Sequence, residues 1–386
     1  MEEYKRVTAR IDLDAMAENM RNIKKLIPGG VGVMGIVKAD AYGHGAIETS
    51  KVILYNGADS LGVAIANEGI ELRRNNILVP ILVLGYTPPA LFPEVVSNNL
   101  IQTVFSLESA AKLSEAAKAA GKTAKIHIKI DTGMGRIGFL PNEDSYAEII
   151  KISKLPFIEV EGIYTHFSTA DEADKEFTNH QDRVFREAVG RISEKGLDIP
   201  VRHGANSAAM IDFDDKFYNL VRPGIILYGL YPSAEVNRER LPLTPVMSIK
   251  TSISHVKEVP EGTPIGYGRK FVTGRKSLIA TVPIGYADGF LRRMKDGGRV
   301  IVRGQYAGIV GNVCMDQFMI DVSGIDGVSP SDEVIIMGSQ GDCSISADEI
   351  ADVLGTINYE VVCMIGKRVP REYIKNKKIL KTINYV

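Results

Sequence analysis

Directly after the apolar run Val31 to Val37 stands Lys38, the first residue of Lys38-Ala39-Asp40-Ala41-Tyr42-Gly43-His44-Gly45. Burial disfavours an ammonium, so a lysine that closes a buried strand is open to two readings. Either its amine is uncharged and attacks a carbonyl to form a Schiff base, or its ammonium reaches solvent at the rim of the fold. Further polar groups end the apolar runs that follow. Lys129 closes Ile126-His127-Ile128 and Arg136 comes soon after it; His166 follows Ile163-Tyr164-Thr165; Asn206-Ser207 follows Val201-Arg202-His203; Arg222 follows Leu220-Val221. Each alone is a solvated charge or a packed histidine. Gathered at one mouth, they would offer an anionic ligand Arg136, Arg222 and the backbone donors around Gly224 and Ile225.

The elements that must hold these groups alternate in kind. Short apolar runs at Val31 to Val37, Leu61 to Ala66, Pro80 to Leu84, Ile101 to Phe105, Ala124 to Ile130, Ile158 to Tyr164, around Val201 and at Leu220 to Val221 are separated by helical stretches. Ala46 to Tyr55, Leu107 to Ala120 and Phe177 to Glu194 are examples. Strand-helix repetition implies a parallel sheet with helices outside it. About eight units in about 230 residues is the size of a (β/α)8 TIM-like barrel, whose functional residues lie at the C-terminal ends of the strands. The barrel is expected over residues 14–240. Past the segment Pro232 to Asn237, β-branched runs take over, at Ile249 to Val256, Leu278 to Ile284, Val300 to Val302, Met319 to Val322 and Val334 to Met337. A mostly-β domain is expected over residues 241–386, with residues 6–13 adding a strand to it. One helix is expected at Ala347 to Leu354, where Ser346 and Glu349 make a capping box.

Composition excludes several functions. In 386 residues, 46 Lys+Arg balance 47 Asp+Glu, which argues against a nucleic-acid binder held by phosphate attraction. Hydrophobic residues at 45% exclude a disordered chain. No apolar run approaches the ~20 residues of a membrane helix. The charged start Met1-Glu2-Glu3-Tyr4-Lys5-Arg6 lacks the apolar core of a secretory signal. Cys314, Cys343 and Cys363 are odd in number and far apart, which suits a reducing compartment. A cytoplasmic protein with no nucleic-acid or membrane partner is expected. His44, His127, His166, His180, His203 and His255 lack ligand-type spacing, so no metal is expected. Gly133 to Gly138 satisfies G-x-G-x-x-G after a strand, with Glu159 and Glu161 about twenty residues on. A dinucleotide fold would open a long helix there, whereas Phe139-Leu140-Pro141 intervene.

In the second half, Ile265-Gly266-Tyr267-Gly268, Gly285 to Gly289, Cys314-Met315-Asp316 and Asn358-Tyr359-Glu360 stand out. A tyrosine between glycines is by itself a turn residue. Together with the first-half groups, these segments resemble the alanine racemases, pyridoxal-phosphate enzymes of the barrel-plus-β-domain type, along nearly the whole chain. The family's cofactor-lysine signature corresponds to Lys38 to Gly45, its Gly-Met-Gly-Arg segment to Gly133 to Arg136, and its Thr-His-Phe element to Thr165 to Phe167. Its Asn-Ser and Arg-Pro-Gly elements correspond to Asn206-Ser207 and Arg222 to Gly224. Two positions depart from the pattern: Leu291 stands where a proline is common and Asn312 where an arginine is common. Neither carries a catalytic role in that pattern, and only local packing is expected to differ.

The resemblance implies roles. Racemisation removes the Cα proton of an amino acid, so an electron sink is required, and pyridoxal phosphate supplies it. Lys38 would hold the cofactor as an imine and act as acid/base on one face of the planar intermediate, with Tyr267 on the other. A tyrosine is a hard base to generate, and a neighbouring cation such as Arg136 should help it ionise. Arg222 would face the pyridine nitrogen as a group that can only donate. Tyr42, Ser207, Tyr359 and the backbone of Gly224 and Ile225 would bind the phosphate, His166 would pack on the ring, and Asn206 would lie next to the cofactor. Arg136 and the backbone of Met315 would take the substrate carboxylate, and Lys129 is the position at which a CO2-modified lysine would orient Arg136. Tyr267 and Met315 lie in the β domain, so the resemblance implies a homodimer with shared sites. The substrate implied is alanine, with some turnover of serine, and the product is D-alanine for the bacterial cell wall. The alternatives are a pyridoxal-phosphate decarboxylase of like fold, which places an acid at the pyridine nitrogen, and a non-catalytic pyridoxal-phosphate-binding protein.

Overall fold

The computed structural model describes residues 6–212 and 217–385. Two compact units divide the chain: Ala15–Ala41 with Ala46–Thr244, and Met1–Asp14 with Tyr42–Gly45 and Pro245–Val386.

The first unit is the expected barrel. Numbering strands from β1 (Val7–Asp12), its members are β2 (Gly32–Ile36), β3 (Ser60–Val63), β4 (Ile81–Val83), β5 (Ile101–Val104), β6 (Ala124–Lys129), β7 (Ile158–Tyr164), β8 (Val201–His203) and β9 (Leu220–Val221). They pair in the order β8-β7-β6-β5-β4-β3-β2-β9, parallel throughout. The Asn219 N–H donates to the Arg202 carbonyl at 3.1 Å and the Arg222 N–H to the Ala205 carbonyl at 3.0 Å, which closes the circle between β8 and β9. Every residue of β3, β4 and β5 is buried. Sandwiching between helices and barrel interior explains why these strands read as continuous apolar runs and not as alternating ones.

Local chemistry sets the element ends. The helix Leu107–Ala119 starts where the Ser106 hydroxyl accepts the Ser109 N–H, and it buries Ala110, Leu113 and Ala117 at helical spacing. The run Leu61 to Ala66 is shorter as a strand than its hydropathy suggests. The Glu68 carboxylate takes the N–H groups of Ala64 at 2.7 Å and Ile65 at 3.3 Å, which ends β3 and starts the helix Ala66–Arg74. The Gly133 to Gly138 loop opens no helix either. It wraps around Asp131, whose carboxylate accepts from the N–H groups of Gly133 (3.0 Å), Gly135 (3.0 Å) and Arg136 (3.1 Å).

In the second unit, β1 lies between the antiparallel strand Met247–Ser252 and the parallel strand Arg371–Lys375, with Ala9 facing Ile249 and Arg371. The run Ile249 to Val256 is two strands, not one. Met247–Ser252 pairs with Glu333–Gln340 while His255–Val259 pairs with Ser277–Val282, and the chain turns at Ile253-Ser254 to change partners. The helix Ala347–Leu354 forms with the Ser346 hydroxyl accepting from the Glu349 N–H at 3.0 Å. The Glu349 carboxylate does not complete the box; it pairs with Arg299 at 2.7 Å. A second short helix, Asn358–Cys363, follows and carries Tyr359. Among the described residues no helix is long and apolar enough to cross a membrane.

Candidate active site

Lys38 stands just beyond β2 and opens a turn of unusual hand. Ala39, Asp40, Ala41 and Tyr42 have φ of 52°, 51°, 54° and 54°. A left-handed conformation costs a residue with a Cβ roughly 1–2 kcal/mol, so four in succession persist only where the surroundings fix them. Two carboxylates do so. Glu68, already bonded to the end of β3, accepts the Ala39 N–H at 2.7 Å, and Asp40 accepts the Ala46 N–H at 2.7 Å. Glu68 thus ties the residue after Lys38 to the neighbouring strand.

Lys129, the last residue of β6, is 2% exposed. Its ammonium donates to the Ile130 carbonyl at 3.1 Å and lies 5.0 Å from the Tyr164 ring centroid. Burial, with Arg222 and Arg136 adding to it against the pull of Asp131, brings its pKa down to about 7. Burial works against the Asp131 carboxylate as well. The donors of Gly133, Gly135 and Arg136, with the Lys129 ammonium, outweigh it and hold Asp131 below its ordinary value.

Arg222, just beyond β9, is buried, and its guanidinium is aimed at acceptors on two segments, Thr165-His166 and His203-Gly204. It donates to the His203 Nδ1 at 2.8 Å, the Thr165 carbonyl at 2.9 Å, the Gly204 carbonyl at 3.1 Å and the His166 Nδ1 at 3.2 Å. Desolvation brings even this group down to about 10. Burial also holds His166 well below its ordinary value, and Arg222, Lys129, Arg136 and Lys38 reinforce it. Four cations, from the buried Arg222 and Lys129 to the exposed Arg136, therefore all bear on His166. Next to them the Ser207 hydroxyl accepts the Gly224 N–H at 2.9 Å, where the helix Ser207–Asp212 and the 3-10 turn Ile225–Tyr228 both begin. Asn206 caps that helix by accepting the Ala209 N–H at 3.0 Å and donates to the Phe167 carbonyl at 3.3 Å.

The second unit holds the remaining residues. Tyr42 is buried with its ring centroid 6.1 Å from that of Tyr359, and burial, with Tyr359 and Cys363 beside it, pushes its hydroxyl far above the ordinary tyrosine value. Tyr267 is 72% exposed on a turn whose flanking glycines, Gly266 and Gly268, both have φ of 73°. Sequence gave no role to Asn312, one of the two departures from the resemblance, beyond packing. Its Nδ2 donates to the Tyr267 carbonyl at 2.6 Å and so holds that turn in place. Met315 is 53% exposed, and its carbonyl accepts the Ala287 N–H at 3.0 Å, so the backbone group it could offer a carboxylate is its N–H.

Sequence reading passed over Glu68, Glu161, His127, His203 and Asn312. The two histidines carried a usable signal: each is a polar residue inside a buried strand of a barrel. Glu68 carried little, because no Ser or Thr precedes its helix to mark the cap.

Comparison with known proteins accounts for this arrangement. The alanine racemase N-terminal domain matches residues 11–232 and the alanine racemase C-terminal domain matches residues 246–373. The chain is 51% identical over 381 residues to an alanine racemase of Clostridium novyi and 52% identical over 381 residues to one of Clostridium tetani, each match covering 98% of both chains. The solved alanine racemase of Clostridium difficile 630 superposes with a TM-score of 0.96 at 46% identity over 100% of both chains. A barrel lined by a buried arginine and two lysines, followed by a mostly-β domain with a glycine-flanked tyrosine, places the chain in the alanine racemase family.

Proposed function

We propose that the chain interconverts L-alanine and D-alanine by two-base chemistry, with Lys38 and Tyr267 as the groups that exchange the Cα proton on opposite faces of the substrate. The activity is that of an amino-acid racemase and the cofactor is pyridoxal phosphate. The observation that carries the reading is the charge of the barrel lining. Lys38, Lys129, Arg136 and Arg222 all bear on His166, and the acid near them, Asp131, spends its oxygens on backbone donors. A cofactor with an aromatic ring, an aldehyde and a phosphate fits that donor set. When bound, it supplies the electron sink that lets the Cα proton leave.

The chain's own residues do the rest. Lys38 supplies the amine that holds the cofactor and afterwards moves a proton at its Nζ. Arg222 donates toward the pyridine nitrogen and, lacking an acceptor lone pair or a removable proton, leaves that nitrogen unprotonated. Among the described residues no carboxylate lies within ion-pair distance of Arg222, which disfavours the decarboxylase alternative. Tyr42, Tyr359, Ser207 and the N–H groups of Gly224 and Ile225 would hold the phosphate, the Gly224 N–H exchanging the bond it makes to the Ser207 hydroxyl; His166 would pack on the ring, Asn206 would lie beside it, and Arg136 with the Met315 backbone would orient the substrate carboxylate. Tyr267 and Met315 belong to a site completed by a second copy of the chain, which makes the working form a homodimer. We place the reaction in the cytoplasm, supplying D-alanine for peptidoglycan.

The test is chiral mass spectrometry of a mixture of L-alanine, L-serine, L-lysine, L-arginine and L-ornithine incubated with the loaded protein. D-alanine appearing fastest supports the reading; amines in place of D-isomers would move it to a decarboxylase, and an unchanged mixture to a binding protein.

Two further outcomes are expected. With a pKa near 7, Lys129 is substantially uncharged at neutral pH and can take up CO2, turning a buried cation into an anion beside Arg136 and Arg222. A CO2 adduct on Lys129 is expected in peptide mass spectra taken at neutral pH, and stripping CO2 should lower activity reversibly on return of bicarbonate. Absence of both effects would refute the modification. Replacing Asn312 with alanine frees the Tyr267 turn, at a cost of about 1 kcal/mol of positioning, so kcat should fall roughly fivefold with KM for alanine little changed. A KM effect alone would mean that Asn312 acts elsewhere.

A further inference from the structure

We infer that Glu161, His127 and His203 are positioning residues that form a one-way hydrogen-bond chain from the half-buried Glu161 carboxylate to Arg222 and set how strongly Arg222 donates to the cofactor's pyridine nitrogen. The inference rests on the assignment of Arg222 above. The chain is continuous. The Arg222 Nη1 lies 2.8 Å from the His203 Nδ1, the His203 Nε2 lies 2.8 Å from the His127 Nδ1, and the His127 Nε2 lies 3.3 Å from the Glu161 carboxylate. Lys125 meets the same carboxylate at 2.5 Å.

Its direction follows from the chemistry of its two ends. A guanidinium can only donate, so the His203 Nδ1 must be an acceptor and the His203 proton sits on Nε2. That proton is donated to the His127 Nδ1, which places the His127 proton on Nε2, aimed at Glu161. A carboxylate can only accept, so the far end demands the same arrangement. Two neutral imidazoles between a pure donor and a pure acceptor have one consistent proton order. Both histidines are neutral: burial lowers each first of all, and Arg222 adds to that at both. Glu161 is held charged. Its hydrogen bond to His127, outweighing burial, together with Lys125, brings it down to about 2.

The sheet is built around this chain. The β6-β7 register shifts between Ile126 and His127, an irregularity of the kind that re-aims a side chain. Opposite the shift stands Gly162, where an added Cβ would come within 2.6 Å of the His127 ring. His203 is stacked on Tyr164, with centroids 4.5 Å apart and planes 5° apart. Serial hydrogen bonds polarise one another. The Glu161 charge makes His127 and then His203 better acceptors, draws positive charge from Arg222 along the chain, and weakens its donation to the pyridine nitrogen.

Four proteins, the parent and three variants, loaded with cofactor 15N-labelled at the pyridine nitrogen separate the outcomes. In the parent, 15N-histidine spectra should find His127 and His203 neutral with the proton on Nε2; a proton on Nδ1 of either overturns the chain. Glu161→Gln removes the charge, and His127→Gln cuts the chain if the first change is compensated. Both should move the pyridine 15N signal toward the hydrogen-bonded side and raise the transamination side reaction roughly threefold or more, at an unchanged melting temperature for Glu161→Gln. If neither moves the signal while Arg222→Lys does, the chain is scaffolding and the inference fails. If Arg222→Lys leaves the signal unmoved, Arg222 does not face the nitrogen, and the assignment fails with it.

Discussion

Replacing Lys38 with alanine is expected to lower racemisation about 10⁴-fold or more, while the protein keeps its fold and still takes up pyridoxal phosphate. Two functions are lost together. The amine that attaches the cofactor is gone, and so is one of the two groups that exchange the Cα proton, a contribution of about 10²–10⁴ by itself. The rest of the cofactor's contacts survive, because Arg222 and Ser207 are fixed by partners other than Lys38: His203, Thr165 and Gly204 for the first, Gly224 for the second. The left-handed turn should survive too, since its supports, Glu68 to the Ala39 N–H and Asp40 to the Ala46 N–H, both run from a carboxylate to a backbone N–H. The measurements are D-alanine formation by chiral mass spectrometry and the mass of the protein after borohydride reduction in the presence of cofactor. The parent should gain a cofactor adduct on the Lys38 peptide and the variant none. An adduct on another lysine, or activity within tenfold of the parent, would remove Lys38 from the role assigned to it.

Lys129 is the other candidate amine and, unlike the half-buried Lys38, is fully buried; the contrast between the two lysines shows how far sequence reaches. Both follow apolar runs, and both were candidates on that ground alone. Position after a strand told that each would sit at the mouth of a barrel, because parallel strands put their C-terminal ends on one face. It could not tell that Lys129 is sealed in beside Arg222 and Asp131, whereas Lys38 begins a left-handed turn. The turn is invisible in sequence for a physical reason: Ala39, Asp40, Ala41 and Tyr42 include no glycine, and one of the two carboxylates that fix them, Glu68, stands 29 residues beyond Ala39 in the chain. Likewise His127 and His203 fall within runs read as strands, while their pairing depends on a register shift between β6 and β7 that hydropathy does not encode. In the β domain the alternation of β-branched residues located the strands and missed the partner change at Ile253, since both halves of that run are equally apolar on one face. Motif chemistry singled out Arg222, which the structure buries among carbonyls and histidines, and was silent where the signal is an ordinary amide, as for Asn312.

Replacing Tyr267 with phenylalanine should lower racemisation roughly 10²–10⁴-fold and, unlike the Lys38 change, leave cofactor attachment intact. The ring and the turn held by Asn312 remain; only the hydroxyl that carries a proton is removed. Lys38 can still take a proton from one face, so in D2O one enantiomer of alanine should exchange its Cα hydrogen with solvent while the other does not and neither is inverted. Equal exchange of both enantiomers would mean that one group serves both faces and would exclude the two-base scheme. The same variant reads out assembly. If each site takes Lys38 from one subunit and Tyr267 from the other, a heterodimer of Lys38→Ala with Tyr267→Phe has one site that lacks both groups and one that has both. Random pairing of equal amounts makes half of the dimers mixed, so recovery should approach about a quarter of parental activity from two nearly inactive proteins. If instead both groups of a site came from one chain, every site in the mixture would lack one of them, and mixing would restore nothing.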